Sequence, residues 1–199
     1  KIAAKTNKKA KKPSKSRDDD FTWNWESERM KAVMCMYRLL KMNLNVLFDP
    51  PMVEEEFIGL IANCNFRILE NPEIAKQANK DSRESTFQVL GVLNHKYNYS
   101  LSCTVNIVQQ LKHFEHLAGP LAEAIEMFAT EFNSRNMVME VVREISHIDE
   151  SELSRDTSGS RAYSLFLIEL GSKLPELMKP CMSLLINHLD GDSYSMRKA

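Results

Sequence analysis

The chain has 199 residues, 43% of them hydrophobic and 27% charged, with only 6 Gly and 7 Pro. That balance excludes a wholly disordered polymer, and the scarcity of Gly and Pro argues against a many-turned β-sandwich. The net charge of −1 hides a split, because residues 1–17 hold eight cations and no acid and so leave residues 18–199 at a net −9.

That split predicts a polyanion such as nucleic acid as a partner of the arm, or else a nuclear import signal. The cations concerned are Lys1, Lys5, Lys8, Lys9, Lys11, Lys12, Lys15 and Arg17. Residues 1–22, Lys-rich and then acidic at Asp18-Asp19-Asp20, have almost nothing to bury and read as a disordered arm. The chain opens on Lys1 rather than Met and closes in what reads as the start of a helix, so it is read as a fragment.

From Trp25 the apolar period becomes helical, with Val33, Met36, Tyr37, Leu40, Leu44 and Leu47 at steps of three and four. Asp49-Pro50-Pro51 stops that helix and starts a second, since Asp caps free amides and Pro suits a first turn. The second carries Val53, Phe57, Leu60, Ile61, Cys64 and Ile68 and ends before Asn71-Pro72. A polar connector over 71–80 leads to Asp81-Ser82-Arg83-Glu84, whose spacing allows an Asp cap with Glu84 answering it.

A third helix then runs to about Tyr97 on Phe87, Leu90 and Leu93, and a fourth spans about 100–115 on Leu101, Val105, Val108, Leu111 and Phe114. Gly119-Pro120 opens a fifth (Leu121, Ile125, Phe128), and Asn133-Ser134 separates it from a sixth (Val138, Val141, Val142, Ile145). Ser151 to Ser160 reads as a polar loop in which Ser158-Gly159-Ser160 turns and caps. A seventh helix covers about 160–173 (Tyr163, Phe166, Leu167, Leu170) and an eighth about 176–189 (Leu177, Met178, Met182, Leu185, Leu189).

Strand signals are nearly absent. Helices joined by short loops at this spacing predict an all-α fold, an α-solenoid of HEAT-like antiparallel helix pairs over 23–199, truncated within its last repeat. A compact bundle is the architectural alternative. The segment Pro180 to Ala199 resembles a HEAT repeat: a proline-bent helix, an Asp-containing turn at Asp190, and a second helix opening at Met196-Arg197. Asp190 and Arg197 then tie turns together. An apolar patch left on the eighth helix belongs to that unfinished pair rather than to a binding site.

Catalytic and cofactor motifs are missing. The six isolated glycines form no GxGxxG and no phosphate-cradling loop, and no GxSxG elbow occurs. No enzyme activity, cofactor, metal or small-molecule substrate is expected. His113 and His116 share a helix face at i and i+3, but further ligands at zinc spacing are missing. The spread of Cys35, Cys64, Cys103 and Cys181 predicts reduced, buried thiols in an intracellular protein. No signal peptide and no membrane-length apolar run is visible, so no membrane partner is expected, and Asn98-Tyr99-Ser100 matters as a sequon only in a secreted chain.

Trp23 and Trp25 read as packing at the array's opening end or as a partner anchor. Arg155 and Arg161, in an unusually polar loop, cap that loop or engage a phosphate or carboxylate.

An ordered set of segments resembles one family, the D-type HEAT-repeat non-SMC subunits of condensin I. They include Val53-Glu-Glu-Glu-Phe57, Cys64-Asn-Phe-Arg-Ile-Leu-Glu-Asn-Pro72, Leu90-Gly-Val-Leu93 and Tyr97-Asn-Tyr-Ser-Leu-Ser102. His113-Phe-Glu-His-Leu117, Val142-Arg-Glu-Ile145, Glu152-Leu-Ser-Arg-Asp156, Phe166-Leu-Ile-Glu-Leu170 and His188-Leu-Asp-Gly-Asp192 continue it in order. The resemblance implies a non-catalytic scaffold acting on DNA in mitotic chromosome condensation, with kleisin and SMC ATPase partners; the charge split, not the resemblance, points to Lys5, Lys8, Lys9, Lys11, Lys12, Lys15 and Arg17 as the DNA-binding or import arm. It implies location in the nucleus and on chromosomes, and in the cytoplasm outside mitosis. The alternative is a protein-binding helical-repeat adaptor whose arm is only an import signal. No Ser-Pro or Thr-Pro occurs, so proline-directed phosphorylation would act elsewhere in a longer chain.

Overall fold

The computed structural model describes residues 55–153, 157–189 and 193–199, together with residues 28, 31, 32 and 35. The arm, most of the helix expected over Val33 to Leu47, both tryptophans, Arg155 and Asp190 lie outside the described residues. Within them the structure is helical, with no strand.

Helix α1, Glu55–Leu69, buries Ile58, Ile61, Ala62, Phe66 and Leu69 against α2, Lys80–Lys96. Two 3-10 turns, Pro72–Ala75 and Gln77–Asn79, join them. Helix α3, Ser100–His113, continues through a 3-10 turn, Glu115–Leu117, into α4, Ala118–Glu131. Helix α5, Asn136–Ser146, leads through the short α6, Glu150–Leu153, to α7, Ser158–Lys173, and both α5 and α7 pack on α3 and α4. The last pair comprises α8, Pro175–Met178, and α9, Met182–Leu185, which pack on α5, and α10, Tyr194–Lys198, which packs on α7.

Contacts between pairs place these helices in two layers. One runs α1, α3, α5 and then α8–α9; the other runs α2, α4, α7 and α10. Successive pairs open at Glu55, Ser100, Asn136 and Pro175, so the repeat expected from the sequence is present. This is an α-solenoid of HEAT-like antiparallel pairs, in which each pair buries its apolar face against its neighbours. Between the layers lie Phe87, Leu90, Leu93, Ile107, Leu121, Phe128, Val141 and Phe166, all closed to solvent.

Two of the three turns between pairs share one device. Asn98 and Asn133 both stand at φ 53°. The amides of the residues after them, Tyr99 and Ser134, reach back to the carbonyls of Leu93 and Phe128 at 3.4 and 2.9 Å. In both, Asn accepts the left-handed conformation that most side chains avoid and lets the next amide close the helix end.

Several local expectations are corrected. Asp81 does not cap α2: the helix starts at Lys80, and its leading residue Asn79 donates from Nδ2 to the Glu73 carbonyl, 2.8 Å away. Glu84 instead faces Lys80 at 3.5 Å. The connector over 71–80 is not purely polar, because Ile74 is fully buried in a turn capped by Asn71, whose Oδ1 accepts from the Glu73 amide at 2.9 Å. The loop before α7 holds the short α6, anchored by buried Leu153, and Thr157 is the cap, its Oγ1 accepting from the Ser160 amide at 3.3 Å. The eighth helix is broken by a 3-10 turn, Lys179–Cys181, because Pro180 has no amide to give and crowds the preceding turn.

Two facings also differ from expectation. Helix α1 exposes Phe57, Leu60 and Cys64, and α3 exposes Leu101 and Val105 while burying Cys103, Ile107, Val108 and Leu111. Both helices carry apolar residues on more than one side, so the three-and-four rhythm matched two stripes equally well.

Candidate functional site

Each candidate residue is placed by the layer it belongs to. His113 ends α3, and His116 lies in the separate turn that follows, so they do not share a helix face. Phe114 stands between them, its ring centroid 6.4 Å from one imidazole and 5.8 Å from the other. His116 Nε2 lies 3.1 Å from the carbonyl of Leu69, at the end of α1, where a helix leaves acceptors without intrahelical partners. Its role is to join two pairs. Among the described residues, no group of three or more His, Cys, Asp or Glu side chains is arranged to hold a metal ion. Among them, no helix is long and apolar enough to cross a membrane.

Arg161 lies in the first turn of α7, its Nη2 3.4 Å from Glu115 Oε2. Lys112 and Glu152 meet at 2.6 Å beside it, and Gly159 approaches the Lys112 carbonyl so closely that a β-carbon would lie 3.3 Å from it. The polar density noticed in this loop therefore stitches α3 to α6 and α7. Tyr163, beneath it, donates to the Val108 carbonyl at 3.3 Å. Its phenol is raised well above the ordinary range, first by burial and then by the charge of Glu152.

The thiols divide into two classes. Cys103 and Cys181 are buried, whereas Cys35 and Cys64 are exposed, which corrects the expectation that all four are interior. Burial pushes Cys103 up to about 12, against a hydrogen bond from Asn94 that lowers it, and burial raises Cys181 too. Neither buried thiol is a nucleophile at neutral pH.

Two surface features were missed by the sequence reading. The outer face of the α2–α4–α7 layer holds a 350 Å³ groove with four carboxylates, Glu84, Glu123, Glu126 and Glu131, against the ammonium groups of Lys80 and Lys173. Lys173 is tied to Glu126 at 2.9 Å. That hydrogen bond raises its pKa most; burial opposes it, and the charges of Glu126, Glu123 and Glu169 add to it. A phosphate backbone would be repelled here. On single helices these acids read as ordinary solvated positions, and only the packing of three helices collects them.

The second feature is a 540 Å³ apolar groove between α7 and the last pair, lined by Leu167, Met178, Met182, Leu185, Ile186 and Met196. The buried His188 also lines it, with no hydrogen-bond partner for its Nε2 among the described residues. This groove lies where the sequence predicts an apolar patch on the eighth helix.

Residues 1–103 match the family model described as non-SMC mitotic condensation complex subunit 1, N-term. The chain is 41% identical over 177 residues to condensin complex subunit 1 of Homo sapiens, covering 89% of this chain and 13% of that protein. It is 38% identical over 188 residues to the Xenopus laevis protein of the same name, covering 94% and 14%. The Saccharomyces cerevisiae protein of that name is 28% identical over 160 residues, covering 80% and 13%. The chain thus spans about an eighth of the length of these relatives. With the family model matching half of it and the rest folded as the same stack of helical pairs, the chain belongs to the non-SMC mitotic condensation complex subunit 1 family.

Proposed function

We propose that this chain is the N-terminal part of a non-catalytic HEAT-repeat scaffold of condensin, acting in mitotic chromosome condensation by binding kleisin and SMC subunits and DNA. The observation that carries this reading is the family match over residues 1–103, which includes the cationic arm and the first described pair. Membership of a family named for a mitotic condensation complex supports assembly with other subunits, and location in the nucleus, on chromosomes, and in the cytoplasm outside mitosis. The solenoid supports a platform role, since stacked pairs present long surfaces suited to other chains.

Two units divide the work: an arm over 1–22 and an array over 23–199. DNA attraction is assigned to Lys5, Lys8, Lys9, Lys11, Lys12, Lys15 and Arg17. The acidity of the remaining residues, a net −9, and the carboxylate groove on one layer favour the arm over the body for that contact. Trp23, Trp25, Arg155 and Arg161 are the proposed partner contacts.

The test is deletion of residues 1–17 and a comparison of DNA affinity across salt concentrations. If about six arm cations engage phosphates, log affinity against log salt has a slope near −5, and the deletion flattens it. An unchanged slope removes the arm from this role. An unchanged slope together with loss of nuclear accumulation supports the import reading instead.

A further inference from the structure

We draw no further inference here: the strongest candidate, the 540 Å³ apolar groove between α7 and the last pair, carries nothing because nothing in the structure shows what covers it.

Discussion

The ring of Phe132 occupies the space that a side chain on Gly91 would need: an ideal β-carbon there lies 2.4 Å from Phe132 Cε2. Gly91 is in α2 and Phe132 caps α4, one pair further along the stack. One turn after Gly91, His95 Nδ1 lies 3.0 Å from the Phe132 carbonyl, so the same residue is held through its backbone as well. A missing side chain is what lets these two helices close together.

Gly91→Ala sets two effects against each other. Helix propensity favours Ala by about 1 kcal/mol, whereas overpacking costs about 1–3 kcal/mol. Three ring atoms lie within 2.8 Å of that β-carbon, so the ring must move, overpacking wins and the urea midpoint falls; G91A/F132L recovers most of the loss. A G91A chain more stable than its parent would show that α2 and α4 do not approach this closely.

Arg83 is the second lock between pairs. Its side chain is 6% exposed. Nη1 donates to the Ile74 carbonyl at 2.9 Å and to the Lys76 carbonyl at 3.5 Å, and Nε meets Glu123 Oε2 at 3.2 Å. Replacing Arg83 with Met keeps the aliphatic stem but strands a buried carbonyl, for a loss of about 1–3 kcal/mol. Glu123 is 44% exposed, so E123Q costs under about 1 kcal/mol. Equal losses from the two variants in chemical denaturation would mean that the ion pair, not the carbonyl contacts, dominates.

Asn98 and Asn133 hold two of the turns between pairs in the left-handed region. Alanine at either site costs about 1–2 kcal/mol, and glycine restores the parent's stability because it lacks the offending β-carbon. The ordering Gly equal to Asn and above Ala, read from thermal midpoints, is the expected result; Ala equal to Asn would contradict the backbone assignment.

The buried thiol of Cys103 makes stability fall in alkali. Its folded pKa of about 12 lies above the ordinary thiol range, so the folded state holds its proton more tightly. That contribution is complete below pH 9 and is lost as pH rises toward 12, at up to about 1.4 kcal/mol per pH unit. C103A loses part of this slope, and raised Tyr163 supplies a further part in the same direction. Near neutrality a thiol reagent modifies Cys35 and Cys64 quickly and reaches Cys103 and Cys181 only on unfolding.

Much of the helical reading survives where one apolar face dominates, as it does in α5. Phe87, Leu90 and Leu93 are buried, as are Val138, Val141, Val142 and Ile145. It failed where two rules competed locally. Asp81 had the spacing of a cap, but a 3-10 turn with Ile74 buried beneath it leads straight into Lys80. The eighth helix had the period, but Pro180 removed a backbone donor from its middle. The candidate contacts were less legible still: Arg161 read as a loop cap or a contact for a phosphate or carboxylate, and it meets Glu115 only because α7 lies against the turn before α4.

Fold class, repeat spacing and the charge split between arm and body follow from the order of residues, because helical period, breakers and net charge are properties of neighbours along the chain. The side of α1 that turns inward, the gathering of four carboxylates into one groove, and the fit of Phe132 against a bare α-carbon depend on residues about forty positions apart. Such pairs meet only when successive hairpins stack, and the close packing between them selects one facing out of several that the periodicity allows.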